Sequence, residues 1–442
     1  MKWLLGTIAL LVIGLVFKLG LLVYGMYALL GVLLVSRSLA WNWTGHLTAS
    51  RSCEQHSAQI GESVSMGVMV RNLGSLSVPW VLLEDALPFE ALRQHPPRLR
   101  IEGSALSVER IQARGETTLS YEARFLMRGY YQFGPLLLES GDLFGLHRRY
   151  RVATSPHYVL VYPKLVPLEG YDIASRKPIG EVRISHRLFE DPTRIAGVRP
   201  YEKGDPLNRI HWRATARTGM LHSKVYEPSC IAGATLVLDF HEASFDVKNA
   251  LARVELAITT AASLANAIYQ MGEQVGLVTN GRDAAERVRY EGWRQEFRTR
   301  TLAKAEAHTR LRSERLQPLM VETQRGTAQL DRILRTLARL ELTDGFTLPE
   351  LLAESANRLP RDASVIAILT SVSEEAAIAL GNLRRNGYAV TAVMVMFGGE
   401  NEYYDWAEPP EWAGRLLAEH INFRRVDDEA SLARLCAEHI LR

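Results

Sequence analysis

The chain has 442 residues, of which 47% are hydrophobic and 23% are charged, and this composition excludes an intrinsically disordered protein. The 52 Lys and Arg residues nearly balance 49 Asp and Glu residues, so the overall charge gives no reason to expect nucleic acid as a partner. The three cysteines, Cys53, Cys230 and Cys436, are far apart in the sequence, which excludes CxxC motifs and a disulfide framework and suits a reducing compartment.

Residues 1–37 are almost entirely apolar. Between Trp3 and Val35 the only charged residue is Lys18. A single helix of this length would span roughly 50 Å, against about 30 Å of hydrocarbon in a bilayer, and would hold Lys18 in mid-membrane. Residues 1–37 are therefore predicted to form a transmembrane helical hairpin with arms Trp3–Phe17 and Leu19–Val35.

The charges beside this hairpin indicate its orientation. Lys2 and Arg37 lie on one side, joined by Arg51, and the positive-inside rule makes that side cytoplasmic. Lys18 lies on the opposite side and argues against this orientation. We expect a multi-pass protein of the inner (cytoplasmic) membrane with its soluble domains facing the cytoplasm. The alternative is a signal peptide cleaved after Ser38–Leu39–Ala40, which the length of the apolar stretch disfavours.

Residues 47–163 follow a period of two. Ser63–Arg71 and Thr117–Phe125 alternate small or polar with apolar side chains, and turns such as Asn72–Ser75 and Arg114–Glu116 separate such runs. Short strands at this spacing, with no long helix among them, predict an antiparallel β-sandwich of immunoglobulin-like type. Residues 164–232 follow as a linker that carries a dense group of charged and aromatic residues.

Residues 233–442 alternate strands with helices. The predicted strands are Ala234–Asp239, Gln274–Thr279, Ala363–Thr370, Tyr388–Phe397 and Asn422–Val426, and the predicted helices are Val247–Met271, Leu330–Leu340, Glu374–Asn386 and Glu429–Leu441. This alternation is typical of an α/β domain with a doubly wound, mostly parallel sheet. An Arg-rich insertion at 281–317 is expected to be helical, either as a solvated helix or as a docking arm for a partner or lipid headgroups.

The linker contains the most distinctive motif of the chain. Its members are Arg199, Tyr201, Gly204, Asp205, Arg209, His211, Trp212, Arg217 and Lys224. Several cations beside one carboxylate are typical of a fixed network of charge-assisted hydrogen bonds. In the structural interpretation, Asp205 pairs with Arg209 or Arg213, and Trp212 packs over the β-domain or the first strand of the sheet, so that the segment locks two domains together. A partner-contacting face is compatible with this arrangement.

A catalytic interpretation of the same motif is weaker. His211 would act as a base oriented by Asp205, with Arg209 or Lys224 stabilising an anion, but no Ser or Cys nucleophile lies in a recognisable turn. A metal-dependent nuclease built from Asp205, Glu227 and Lys224 would lack its Glu-x-Lys strand. The sequence therefore favours a protein that is not an enzyme and holds no cofactor.

Two motifs together resemble the bacterial domain-of-unknown-function 58 family. The first is Arg128–Gly129–Tyr130–Tyr131, continued by Gly134–Pro135 and Asp142–Leu143–Phe144–Gly145–Leu146, and the second is the linker motif from Arg199 to Lys224. The resemblance extends over nearly the whole chain. It implies a C-terminal domain similar to von Willebrand factor A modules and a functional association with chaperone-like MoxR-type AAA+ ATPases.

The von Willebrand A resemblance also implies a divalent-cation site, which this chain carries in degenerate form. Asp239 is kept, but His241 and Ala243 stand where serines are expected, and Ser371 stands where an Asp is expected. Thr327, which follows Gly326, is the candidate for the remaining threonine ligand. The degenerate site comprises Asp239, Ser244, Thr327 and Ser371. We predict no functional metal there, and a helix-capping or salt-bridged role for Asp239 at a partner-binding face.

Taken with the resemblance, these features predict a membrane-anchored protein–protein interaction adaptor. Its expected partner is a MoxR-type AAA+ ATPase, and its expected role is the assembly or maturation of membrane or envelope complexes. Two alternatives remain: a hydrolytic enzyme centred on His211 and Asp205, and a purely structural envelope protein with the β-domain as its binding module.

Overall fold

A computed structural model describes residues 2–53, 55–142, 147–169, 189–201, 210–229, 233–245, 249–286, 316–360, 363–396 and 410–436. The chain divides into two compact units. Unit 1 comprises Met1–Lys164, Asp283–Ser313 and Arg335–Leu340, and unit 2 comprises Leu165–Arg282, Glu314–Leu334 and Glu341–Arg442.

Unit 1 begins with two antiparallel apolar helices, α1 (Lys2–Val16) and α2 (Gly20–Gly45). They meet at a turn in which Lys18 has a left-handed φ of 52°. Gly14 of α1 faces α2 so closely that a Cβ there would lie 2.7 Å from Leu22 Cδ2. Helix α2 is long and apolar enough to cross a membrane, and α1 contains a shorter apolar stretch, Leu5–Val16. Together these helices form the hairpin that the sequence predicts.

Helix α2 extends beyond the predicted hairpin boundary at residue 37. It has 26 residues, or a length of about 39 Å, and ends one residue before the first strand. Ala40 and Trp43 are buried, and Trp43 belongs to the core of the β-domain with Leu39 packed against it. Because these apolar residues continue at helical spacing, the last turns of the helix are stabilised by packing on the β-domain.

The β-domain of unit 1 contains eleven strands and one short helix among the described residues. They are β1 (Leu47–Arg51), β2 (Ser57–Ala58), β3 (Ser63–Asn72), β4 (Val78–Asp85), α3 (Phe89–Arg93), β5 (Leu99–Gly103), β6 (Leu106–Ile111), β7 (Glu116–Phe125), β8 (Gly129–Phe133), β9 (Leu136–Gly141), β10 (Arg148–Val152) and β11 (His157–Val161). Their sheets have the orders β1-β3-β7-β5, β10-β9-β4-β6 and β2-β11-β8. The burial of alternate residues along β3 and β7 agrees with the period of two.

Antiparallel pairing dominates this domain, as the sequence predicts. The exception among the described strands of this domain is β2, which pairs in parallel with β11. Two buried clusters form the core: one centred on Phe125 and Phe133, the other on Leu83, Leu136 and Trp43.

Unit 2 holds the linker motif and an α/β sheet. The remaining elements of the chain, of which β16, α6 and β18 have residues assigned to both units, are β12 (Phe189–Pro200), α4 (Trp212–Thr218), β13 (His222–Ser229), β14 (Gly233–Leu238), α5 (Ala250–Gln270), β15 (Gln274–Thr279), β16 (Arg282–Asp283), β17 (Leu319–Gln324), α6 (Thr327–Arg339), β18 (Leu340–Glu341), α7 (Leu348–Ser355), β19 (Ser364–Leu369), α8 (Glu374–Arg385), β20 (Val390–Val395), α9 (Glu411–Ala418), β21 (Asn422–Val426) and α10 (Glu429–Ala433).

The sheet of unit 2 has six strands in the order β17-β15-β14-β19-β20-β21. All neighbouring pairs are parallel except β15 and β17, which are antiparallel. Side chains of α7, α8 and α9 pack on one face of the strands in a cluster that includes Val237, Val365 and Ala367. Because neighbouring strand residues point to opposite faces, Leu236 and Ile366 are left for the face that α5 covers. This is the doubly wound arrangement that the strand–helix alternation predicts.

Two sequence predictions lie partly outside the described residues. Of the insertion at 281–317, only its first six and last two residues are described. Of the cysteines, Cys53 and Cys436 are free and half-buried, and Cys230 lies outside the described residues. Burial raises the pKa of the Cys436 thiol to about 11.

Candidate functional site

The linker motif folds as a two-stranded ladder closed by a short helix. Strand β12 pairs antiparallel with β13, and this register places Arg199 opposite Ser223 and Val198 opposite Lys224. The Tyr201 amide donates to the Leu221 carbonyl at 2.9 Å, which continues the ladder. Three predicted members, Gly204, Asp205 and Arg209, lie outside the described residues, and the pairing of Asp205 therefore stays a prediction.

His211 caps helix α4 within this ladder. Its Nδ1 accepts a hydrogen bond from the Ala214 amide at 3.0 Å, and its own amide donates to the His222 carbonyl at 2.8 Å. An acceptor Nδ1 carries a lone pair, so the neutral ring holds its proton on Nε2. Taking up a proton at Nδ1 would remove the cap, and this geometry assigns His211 a structural role at the start of α4.

The hydroxyls that the sequence places near His211 are also occupied. Thr215 Oγ1 accepts from the His222 amide at 3.1 Å, and Ser223 is buried in the ladder. Thr215 is thus engaged by the backbone and Ser223 is buried, so neither hydroxyl is presented as a free nucleophile beside the histidine.

Four apolar side chains of the ladder and helix are exposed. Trp212 is 69% exposed, Met220 67%, Leu221 47% and Val198 41%, and these four residues are called the Trp212 patch. The prediction that Trp212 packs over the first strand of the sheet is wrong, and its packing over the β-domain stays a prediction. Trp212 is the first residue of a seven-residue helix that buries none of its side chains.

Two exposed arginines lie on the same helix as Trp212. They are Arg213 and Arg217 of α4. Arg217 lies in the last turn of the helix, where a cation interacts favourably with the carbonyl end of the helix dipole. Lys224 is half-buried on β13. The described part of the motif therefore exposes both apolar side chains and guanidinium groups.

The second candidate site is the carboxyl edge of the parallel sheet, at Asp239. This carboxylate is buried and accepts three hydrogen bonds: from Ser244 Oγ at 2.6 Å, from Asn280 Nδ2 at 2.9 Å and from the His241 amide at 3.2 Å. Thr370 Oγ1 in turn donates to the Ser244 carbonyl at 2.7 Å. The carboxylate is therefore held by neutral donors of the protein itself, and a cation here would compete with Ser244 and Asn280 for its oxygens.

The prediction that Thr327 contributes to this site is wrong. Thr327 follows β17, the antiparallel strand, whose last residue Gln324 lies beside Val275 near the start of β15. Thr327 therefore begins α6 at the opposite edge of the sheet from Asp239. Ser371 does follow β19 at the carboxyl edge and is exposed.

The structure brings two other residues to Asp239. Thr343 is buried, donates its amide to the Phe240 carbonyl at 3.2 Å and accepts the Glu242 amide at 2.8 Å. Asn280 binds the Phe240 amide through Oδ1 at 2.6 Å. Asn280 directly follows β15, which is a parallel neighbour of β14. Because the ends of parallel neighbouring strands lie together, this position in the sequence indicates that Asn280 lies near Asp239.

His241, which lies at this edge, makes a local hydrogen bond. Its Nδ1 accepts from the Ala243 amide at 3.2 Å. Within the described ranges no group of three or more His, Cys, Asp or Glu side chains is placed to hold a metal ion. The arrangement fixes the β14–α5 loop through side-chain hydrogen bonds.

The first family motif is structural. Arg128 is buried, and its Nη1 donates to the carbonyls of Leu337, Ala338 and Leu340 at 3.0, 3.3 and 2.9 Å, at the end of α6 within unit 1. A guanidinium satisfies helix-terminal carbonyls that have no intrahelical partner. A Cβ on Gly129 would lie 2.9 Å from the Tyr131 ring, which explains the glycine that follows the arginine.

Gly134 of the same motif borders a buried ion pair. Arg51 binds both oxygens of Asp85, at 2.8 and 2.6 Å, and Tyr121 donates to Asp85 at 2.6 Å. Gly134 has a φ of 82°, and a Cβ there would collide with the Arg51 guanidinium. Arg51 is therefore neutralised inside the β-domain, which removes it from the positive charges that indicate the orientation of the hairpin.

The comparisons with known proteins agree with these motifs. Residues 197–309 match the family model described as "Protein of unknown function DUF58". The chain carries a DUF58 region. This region includes the Trp212 patch, the linker motif and Asp239, and its match confirms the family that the linker motif resembles; the first motif, at 128–146, lies outside the matched residues.

One relative is the uncharacterized protein YeaD of Bacillus subtilis (strain 168), 24% identical over 262 residues. The match covers 58% of this chain and 62% of YeaD, so the chain spans less than two thirds of that relative. Among solved structures, a CARDB domain from Pyrococcus furiosus in complex with di-metal ions is 15% identical, with a TM-score of 0.18 over 26% of this chain and 86% of its own. Proximal thread matrix protein 1 from the mussel byssus is 10% identical, with a TM-score of 0.29 over 47% of each chain. Neither structural likeness adds to the fold described above.

Proposed function

We propose that this DUF58 protein is a membrane-anchored adaptor that binds a protein partner through the Trp212 patch. The observation that carries this proposal is the exposure of Trp212 and Met220 beside Arg213 and Arg217 in the family-specific segment. Trp, Met and Arg are enriched in protein–protein interfaces, and Trp and Arg are frequent among residues whose loss weakens binding by about 2 kcal/mol or more. Burial of the patch by a partner would remove its apolar area from water.

The proposed partner is a MoxR-type AAA+ ATPase, and the proposed role is the assembly or maturation of membrane or envelope complexes. This identity rests on what the family resemblance implies. The chemistry of the patch suits a folded protein surface with an apolar pocket for the indole and carboxylates for the two arginines.

We propose further that the α/β sheet is a von Willebrand A-like domain with a degenerate metal site. The sheet order, with one antiparallel edge strand beside otherwise parallel strands, supports this assignment. The three internal donors to Asp239 support a site that keeps its loops in place without a cation. The carboxyl edge of the sheet then serves as a rigid support for protein contacts.

The proposed location is the inner membrane, with the soluble domains in the cytoplasm. The apolar α1 and α2 support membrane insertion, and Arg37 at the end of the apolar stretch supports the orientation. Reporter fusions at the C-terminus and at the turn near Lys18 test it. Cytoplasmic activity of the C-terminal reporter supports the adaptor, whereas periplasmic activity excludes a cytosolic ATPase as partner and favours the structural envelope protein.

The partner is tested by affinity purification of the full chain from its native cells in mild detergent with nucleotide, followed by mass spectrometry. The test variant is Trp212→Ser/Met220→Ser, and the matched control is Ile378→Ser/Leu417→Ser, which alters two other exposed apolar residues. We expect an AAA+ ATPase with the wild type and the control, and at least tenfold less with the test variant. No ATPase with the wild type would refute the partner, and equal recovery with both variants would refute the patch as its binding surface.

The catalytic alternative is tested separately with His211. A His211→Asn variant keeps a side chain that caps helices well but removes the imidazole. A hydrolytic activity of the purified protein that disappears in this variant, while the ATPase is still recovered, would favour the enzyme over the adaptor.

A further inference from the structure

Three side chains form a basic surface where helix α2 leaves its apolar stretch. Arg37 and Trp41 lie one turn apart on the exposed side of α2, and Arg149 lies on β10, which packs against this helix. These three residues are called the juxtamembrane basic surface; the adjacent Arg148 points to the opposite face of β10. The Arg149 guanidinium lies 4.9 Å from the centre of the Trp41 ring, a cation–π contact that joins helix and strand.

The geometry of this surface is fixed by further contacts between the same elements. Ser36 Oγ lies 3.0 Å from His147 Nδ1. Arg151 Nη1 donates to the carbonyls of Thr44, Gly45 and Leu47 at 3.3, 3.4 and 2.9 Å, where α2 ends. Strand β10 is therefore held beside the helix by the hydrogen bonds of Arg151, and Arg149 is held there by its contact with Trp41.

The depth of the surface matches a lipid headgroup layer. The apolar stretch of α2 runs from Gly20 to Val35, about 24 Å at 1.5 Å per residue. Arg37 and Trp41 follow within about 9 Å of Val35 on the same scale, which is comparable with the headgroup layer outside the hydrocarbon. Tryptophan is enriched at this level of a membrane because its ring is amphipathic.

The charges of the surface are incompletely balanced. Burial lowers the pKa of Arg149, and the nearby charges of Arg37 and Arg151 lower it further. The charged neighbours that act on Arg149 are thus both cations, and an anion placed among them would relieve their repulsion.

We propose that the juxtamembrane basic surface binds the phosphate groups of anionic membrane lipids such as phosphatidylglycerol. Arg37 and Arg149 supply charge-assisted hydrogen bonds to the phosphate, and Trp41 lies beside the glycerol region. This inference rests on the proposed membrane anchorage and goes beyond it, because insertion of α1 and α2 by itself requires no particular headgroup. Lipid binding would fix the height of the β-domain on the membrane.

The test uses the full chain reconstituted in phosphatidylcholine vesicles with spin-labelled phosphatidylglycerol or phosphatidylcholine. Electron paramagnetic resonance gives the association of each labelled lipid with the protein. One arginine near an anionic lipid surface contributes about a fivefold preference, so we expect phosphatidylglycerol to be favoured about fivefold or more at low salt. At 1 M salt, where the screening length is about 3 Å, the preference should fall substantially.

Two variants test the residues, and one serves as a control. Arg37→Gln/Arg149→Gln should bring the preference close to one, whereas the two lysine replacements at these positions should keep most of it. The matched control, Arg100→Gln/Arg110→Gln, removes two exposed arginines from β5 and β6, strands that lie at the sheet edges opposite β1 and β10.

Each outcome decides between the alternatives. An unchanged preference in the glutamine variant, or an equal loss in the control, would overturn the proposal. Loss in the lysine variant as well would show that charge is not the cause. If the glutamine variant does not fold, a salt-independent preference of the wild type overturns the proposal instead. Failure of the wild type to insert into vesicles would refute the membrane anchorage, a result distinguishable from insertion without lipid preference.

Discussion

The buried pair of Arg51 and Asp85 allows a quantitative test of the β-domain. The Arg51 side chain is 9% exposed and that of Asp85 is 0% exposed. Asp85 accepts three short hydrogen bonds, two from Arg51 and one from the Tyr121 hydroxyl. Asp85→Ala would leave a guanidinium and a phenol without their partner in the interior. Breaking a buried ion pair from one side costs about 3–5 kcal/mol, a large part of the 5–15 kcal/mol typical of a domain.

The assay is hydrogen exchange of the full chain in detergent, measured by mass spectrometry on peptides from β3 and β7. We expect Asp85→Ala to lower the opening free energy of these strands by about 3–5 kcal/mol. Glu116→Ala breaks an exposed pair with Arg71, whose side chains are 54% and 59% exposed, and should cost at most about 1 kcal/mol. A loss below about 1 kcal/mol for Asp85→Ala would refute the assignment of this pair as buried and essential to the domain.

Tyr121 adds a pH dependence whose sign can be derived. Burial, with the charge of Asp85, raises the pKa of Tyr121 far above its ordinary value of 10.0. The folded domain therefore keeps the phenol protonated where the unfolded chain loses the proton, so this contribution to stability is intact below pH 10 and is lost as the pH rises above it. The opening free energy should fall by about 1.4 kcal/mol per pH unit there. Tyr121→Phe should remove this part of the slope; an unchanged slope would contradict the buried phenol.

Three further predictions concern the motifs. Arg128→Leu should destabilise the end of α6 by about 2–3 kcal/mol, because three carbonyls lose a charged donor, and faster hydrogen exchange of α6 measures it; unchanged exchange would contradict the contact. His211→Ala should cost about 1 kcal/mol through loss of the helix cap, with His211→Asn restoring most of it, and exchange of the α4 amides separates the two. Asn280→Ala should cost about 2–3 kcal/mol in thermal unfolding, because the buried Asp239 loses a donor, whereas the exposed Asn382→Ala should change little.

Local periodicity accounts for the parts of the fold that the sequence predicts. The alternation in β3 and β7, the apolar stretch of α1 and α2, and the strand–helix series of the sheet each follow from the burial of one face of a regular element. The extension of α2 to Gly45 was missed for a related reason. Leu39, Ala40 and Trp43 continue the helical spacing, but the end of the uncharged stretch at Arg37, not the packing on the β-domain, defines the predicted boundary.

The candidate site at Asp239 depends on strand direction, which periodicity does not reveal. Thr327 follows a strand just as Ser371 does, but β17 is antiparallel, so the two residues lie at opposite edges of the sheet. Thr343 is at the correct edge although it follows helix α6 and the two-residue strand β18. Asn280 was accessible to sequence reasoning, because residues that directly follow parallel neighbouring strands lie together.

Trp212 is informative because its exposure contradicts what its chemistry favours. Hydrophobicity alone predicts a buried indole, which is why the sequence predicts that Trp212 packs between two domains. In the structure, the ladder around it satisfies its own backbone through His211, Tyr201 and Thr215 without using the indole. Trp212 is thus a large apolar residue that the fold neither buries nor uses for packing. Exposed apolar residues of this kind are expected at functional surfaces. The rigid cap at His211 would then hold Trp212 in one orientation before binding, which reduces the entropy lost when a partner covers it.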